Sequence, residues 1–141
     1  MYTIQQLSMI TGLTTRTLRS DLKSGLLQGS KETGIWQFTE QQVSDFITHP
    51  AVRPGIRAKQ NAIVYDFLAD LNPSENEECI LLTRTTEESK AKEMADFFCT
   101  AVSELSQIRF TYNYHSGKAR YILRGAEGDV SRIMAEFYRQ F

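Results

Sequence analysis

Long apolar runs are absent: stretches such as Ile80-Leu81-Leu82 fall far short of the roughly 18 residues a helix needs to cross a bilayer. A transmembrane helix is therefore excluded and no membrane partner is expected. The segment after Met1 mixes polar and apolar residues, with no basic stretch leading into an apolar one, so no secretory signal is predicted and the expected setting is cytoplasmic. Cysteine is scarce, with only Cys79 and Cys99. Two cysteines without His or Cys neighbours form neither a zinc pattern nor a disulfide framework, and both read as buried, reduced thiols. Three prolines and eight glycines are too few for low-complexity material, and 41% hydrophobic with 23% charged residues describes a folded globular chain. Also missing are a paired-carboxylate motif, a Ser or Cys nucleophile elbow, a Gly-rich phosphate loop and a His cluster. These absences point away from an enzyme and from a bound cofactor or metal.

Net charge is small as well, a formal −1 over 141 residues, but it is unevenly spread. Residues 1–61 carry seven Lys/Arg against four Asp/Glu, a formal +3, whereas residues 62–141 carry nine against thirteen, a formal −4. A polyanion would be met by the first part of the chain. The length allows one ordinary domain or two small ones, and the changes of pattern along the chain favour two.

Thr3 directly before Ile4, with Gln6 three residues on, has capping-box spacing and predicts a helix start. Ile4, Leu7 and Ile10 recur at helical spacing, and Gly12 is placed to close the run with a left-handed cap. Thr14 can cap a second helix that carries Leu18 and Leu22 on one face and ends before Gly25. Short helix, glycine turn and short helix is helix-turn-helix spacing. In such units the start of the second helix enters the major groove of double-stranded DNA, which singles out Thr14, Thr15, Arg16 and Arg19 as base and backbone contacts. Arg16, Arg19 and Lys23, at i, i+3 and i+7, form one basic stripe away from Leu18 and Leu22. Taken alone, the stripe equally fits the solvated face of an amphipathic helix.

Next, Leu26-Leu27 can pair with Trp36-Gln37-Phe38 across a turn containing Gly29, Ser30 and Gly34, a candidate wing with Lys31 near its tip. Trp36 fits either a core position or a stacking contact. Thr39 with Gln42 repeats the capping box, and Val43, Phe46 and Ile47 line a third helix that ends near His49-Pro50.

This segment resembles the winged helix-turn-helix domain of MerR-type transcriptional regulators. The likeness covers about the first 48 residues and rests on Tyr2-Thr3-Ile4, Leu7, Thr11-Gly12-Leu13-Thr14, Arg16-Thr17-Leu18-Arg19, Gly25-Leu26-Leu27, Gly34, Phe38-Thr39-Glu40-Gln41 and Val43. It implies a homodimer on a near-palindromic operator, with the second helix in the major groove and the wing on the flanking backbone. Two positions depart from the family pattern. Ser20 and Asp21 stand where a pair of tyrosines is usual, and Trp36 stands where an arginine is usual. Both changes remove backbone-clamping groups and imply weaker or differently angled contacts.

Pro50, Pro54 and Gly55 interrupt the helical pattern, with Arg53, Arg57 and Lys59 adding positive charge beside them. Ile56 to Leu71 then reads as a helix, stopped by Asn72-Pro73. It is too short for the family's long dimerising coiled coil, and its apolar rows fit packing on its own chain equally well. Beyond it, Cys79 to Thr83 reads as a strand and Thr85-x-x-Glu88 as a capping box. Ala91, Met94, Ala95, Phe98, Ala101, Val102 and Leu105 read as a helical core stripe. Ile108 to Tyr114 and Ala119 to Leu123 alternate as strands around the turn His115-Ser116-Gly117-Lys118, and Val130 to Phe141 reads as a last helix. Arg109, Arg120 and Arg124 share one face of that hairpin, either an anion or partner site or, as the better fit, a solvated sheet face.

The expected fold class is thus α+β: a winged helix-turn-helix at 1–49, a connector with one helix at 50–77, and a small β-α-β-β-α domain at 78–141, like a truncated ferredoxin-like unit. The last domain, at roughly 64 residues, is marginal alone and is expected to supply dimerisation or to sense a small-molecule or protein effector. The expected function is a sequence-specific DNA-binding transcriptional regulator, with Thr14, Thr15, Arg16, Arg19, Lys23, Lys31 and Trp36 at the DNA. The alternative is a protein-interaction or architectural recombination accessory module, which Asp21, Trp36 and the near-neutral net charge would suit.

Overall fold

The computed structural model describes residues 1–69, 76–105 and 107–141. It is a mixed α and β structure that divides into two compact units, Met1–Asn61 and Ala62–Phe141.

In the first unit, β1 (Tyr2–Thr3) leads into α1 (Ile4–Thr11), α2 (Thr15–Ser24), β2 (Gln37–Phe38) and α3 (Glu40–Ile47). Helix α4 (Arg53–Ala69) crosses the unit boundary. The capping boxes read at Thr3 and Thr39 both form: each threonine Oγ1 accepts the N–H three residues on, and the Gln6 and Gln42 side chains accept the threonine N–H in return. Two otherwise orphaned donors are satisfied at each helix start. Gly12 caps α1 in the left-handed region at φ +76°, its N–H reaching Ser8 O at 2.9 Å. Thr11 fixes the turn behind it. Fully buried, its hydroxyl donates to Leu7 O (2.7 Å) and accepts from Leu13 N–H (3.1 Å). The core of this unit is Ile4, Leu7, Ile10, Leu18, Leu27, Phe38, Val43 and Phe46, with Val52 and Ile56 from the approach to α4 and its first turn.

Three local expectations change. The Trp36-Gln37-Phe38 segment does not pair with Leu26-Leu27. Gln37 instead bridges Ser30, N–H to O in both directions (2.9 and 2.8 Å), and β2 pairs with β1 in the register Tyr2↔Phe38 and Thr3↔Gln37. Leu27 has a different use: it is 1% exposed, in the core. Pro54 does not interrupt a helix but lies inside the first turn of α4, where its missing N–H would have had no intrahelical acceptor. Leu71 and the Asn72-Pro73 stop lie outside the described residues.

In the second unit β3 (Glu77–Thr85), α5 (Glu88–Ser103), β4 (Arg109–His115), β5 (Lys118–Ala126) and α6 (Glu127–Gln140) follow in the expected β-α-β-β-α order. The sheet is antiparallel with β5 central, in the order β3-β5-β4. The β4–β5 turn has positive φ at both Ser116 and Gly117, the signature of a two-residue type I′ hairpin. Thr85 does not cap α5. It belongs to β3, whose ladder carries on through Thr86 N–H to Gly117 O at 3.0 Å, and the helix starts after Glu87 with no side-chain cap. One sheet face packs on α5 and α6 through Phe98, Phe110, Tyr121 and Phe137, with Phe98 4.9 Å from Phe137 and 5.2 Å from Phe110 between ring centroids. The Tyr121 hydroxyl donates to Ala91 O at 2.9 Å, so the buried ring leaves no unmet polar group.

Gly12→Ala is expected to destabilise the first unit by about 1–3 kcal/mol in urea unfolding, because a Cβ there would lie 2.8 Å from Lys59 Cβ and would force a side chain into positive φ.

Candidate nucleic-acid interface

Helix α2 is amphipathic around a single fully buried anchor, Leu18, with Leu22 half-buried beside it. That anchor sets the rotation of the helix. With Leu18 turned inward, Arg16, Arg19 and Lys23 point the other way, and all three are exposed. The structure therefore brings these three predicted site residues onto one face, with Ser20 next to them.

Thr14 and Thr15 stand at the start of the same helix. Thr14 is the N-cap, its Oγ1 accepting Thr17 N–H at 3.1 Å and lying 3.0 Å from the Thr17 hydroxyl. Thr15 is half-buried. No acidic residue occupies the first turn, so no carboxylate neutralises the positive dipole end, and Lys23 complements the last turn. Asp21, off the basic face, is half-buried; its carboxyl is raised above the ordinary range by desolvation, and its backbone oxygen receives Leu27 N–H at 3.1 Å.

Lys31 and Trp36 form a second cluster on the loop before β2. The Lys31 ammonium sits 5.7 Å from the Trp36 ring centroid, and the indole lies nearly parallel to Phe38 at 14° and 6.4 Å. Phe38 is fully buried, so the half-buried Trp36 lies over the core and keeps Lys31 within cation–π range of its ring. A signal for this was present in the sequence. Residues 36 and 38 are two apart along an extended segment and share a face.

The feature that separates the two units electrostatically is where the cations find partners. Among the described residues every ion pair lies in the second unit: Lys90–Glu93, Lys92–Asp96, Arg109–Asp66, Arg124–Glu77, Arg132–Asp129 and Arg139–Glu136. Arg16, Arg19, Lys23 and Lys31 have no carboxylate partner among the described residues. Neither do Arg53 and Arg57, which line an open depression of about 380 Å³ with Pro54, Ala58 and Asn61.

The arginines of the hairpin behave differently from one another. Arg124 is not on a solvated face: it is 7% exposed, bonded to Glu77 at 3.0 Å and set 5.7 Å from the Phe67 ring centroid of α4. Arg109 pairs with Asp66 at 2.9 Å, and Arg120 alone of the three is exposed without such a partner. His115 flanks the β4–β5 turn, and His49 Nδ1 accepts Ala51 N–H at 3.0 Å in the turn before α4.

Cys99 is buried and Cys79 half-buried, and burial pushes both thiols up, Cys99 to about 12. Among the described residues no three His, Cys, Asp or Glu side chains group as a metal site. Comparison with protein-family models, curated proteins and solved structures gives no match.

In the native protein Cys99 is expected to resist alkylation at pH 8, since thiolate is the reactive form, and to be modified once the chain is unfolded. Mass spectrometry after a timed iodoacetamide pulse reads the difference, and rapid native labelling of Cys99 would contradict its described burial.

Proposed function

We propose that this chain is a sequence-specific DNA-binding transcriptional regulator that acts as a homodimer on a near-palindromic operator. Its first unit serves as a MerR-like winged helix-turn-helix and its second as the dimerising or effector-sensing part. The observation that carries this reading is the unpaired basic face of α2. Holding several like charges together without carboxylates is unfavourable unless a polyanion meets them, and the second unit neutralises its own cations as a rule.

In this reading the N-terminal turn of α2 enters the major groove, where Arg16 and Arg19 reach base edges and phosphates. The exposed amides at Thr15 and Arg16 face a phosphate, and Lys23, two turns away, neutralises another. Thr14 contributes less than its exposure suggests, because its hydroxyl is engaged in capping Thr17. The loop from Ser30 to Gln37 is the wing, stiffened by its own bridge and by Trp36 on Phe38, and it offers Lys31 as its cation. A cytoplasmic protein is expected on this reading.

Fluorescence anisotropy on selected duplexes tests the assignment. Arg16→Ala and Arg19→Ala are each expected to cost about 1–3 kcal/mol of binding, whereas Lys23→Ala should weaken all sequences alike and lower the salt slope by about one. Unchanged affinity in the double Arg16→Ala, Arg19→Ala protein would overturn the reading.

A further inference from the structure

β3 is the more exposed of the two edge strands in the second unit's sheet. Among the described residues no strand pairs with it, and no residue of β3 is buried. Leu81, at its middle, is 58% exposed, and Ile80 and Leu82 are only half-covered. The opposite edge strand, β4, contrasts with it: Phe110, Thr111 and Tyr112 are all buried. A long apolar edge left open in this way is a template for another strand.

The bonds that bracket β3 show which groups point outward. Asn76 O receives Glu127 N–H, and Thr86 N–H reaches Gly117 O, both on the β5 side. The β3–β5 register between them is unbroken. Alternation then directs the N–H and C=O groups of Glu77, Cys79, Leu81, Thr83 and Thr85 to the free edge.

We propose that two copies of this chain dimerise by antiparallel pairing of β3 with β3 of the partner about a two-fold axis at Leu81, forming a continuous six-stranded sheet. The strand is complementary to itself in this register. Leu81 meets Leu81, Ile80 meets Leu82, Cys79 meets Thr83, and Glu78 meets Arg84, twice over by symmetry. Glu78 and Arg84 both lie on the helix-covered side, against Ser131 and Phe137 of α6, so the opposite charges share a face. Moving the axis by one residue destroys the match. About Ile80 it sets Glu78 against Leu82, and about Leu82 it sets Ile80 against Arg84. Register is therefore specified by the side chains themselves, and the pairing is isologous and closes at two subunits.

The pairing supplies the dimer that the proposed function calls for and rests on that reading only for its purpose. It is tested without DNA, so a failure here leaves the anisotropy result of the first unit standing. Sedimentation velocity of the full chain over a dilution series is expected to show a dimer, and Leu81→Lys a monomer with an unchanged circular-dichroism spectrum at low temperature, since Leu81 is largely exposed in the single chain. Register is read by cross-linking. Thr83→Cys places a thiol about 5.5 Å, Cα to Cα, from the partner's Cys79, within disulfide range. With an added oxidant it should give a covalent dimer on a non-reducing gel, while Thr85→Cys should not. A monomeric wild type, a dimer that survives Leu81→Lys as one built on Tyr65 and Leu68 of α4 would, or equal cross-linking of both cysteine variants overturns the proposal.

Discussion

Burial of Leu18 is the constraint on which the candidate interface depends. One fully enclosed leucine in a helix of ten residues, otherwise polar save for half-buried Leu22, fixes which way the helix faces. The glycine turn and the Thr11 hydroxyl fix where it starts, and the cap at Thr14 keeps its first turn intact. Arg16, Arg19 and Lys23 are presented outward because Leu18 is held inward. Their chemistry is ordinary; their arrangement follows from packing.

The two units treat charge in different ways. In the second, cations are set against carboxylates near in sequence, as in Lys92–Asp96, or far from it, as in Arg109–Asp66. Pairs as exposed as Arg109–Asp66 contribute little stability each, but they leave few free cations on the surface. In the first, the seven Lys/Arg stand without carboxylate partners among the described residues. A near-neutral chain can thus carry a local positive face, and the formal −1 of the whole conceals it.

Much of this was legible in the sequence where the determining contacts are local. Caps at Thr3, Thr14 and Thr39, the turn at Gly12 and the tight hairpin at Ser116-Gly117 depend on residues within a few positions of each other. The α+β class followed from the changing periodicity. What the sequence hid were contacts between distant segments. Gln37-Phe38 pairs with Tyr2-Thr3 rather than with its neighbour in the chain, and nothing near residue 37 announces that. Arg124 looked solvated on its strand, yet Glu77 and Phe67, both far away in the chain, enclose it. Thr85 matched a capping box by spacing, but the sheet register had already claimed its backbone. Trp36 lay between, since its partner Phe38 was within reach of a strand-period argument.

The central claim is that the outward face of α2 reads a DNA sequence. Selection of binding sites from random duplexes by the full chain, repeated with Arg16 and Arg19 both changed to alanine, tests it most directly. The account predicts enrichment of an inverted pair of half-sites by the wild type and loss of that enrichment in the variant. No enriched sequence, or the same enriched sequence from both proteins, would contradict it.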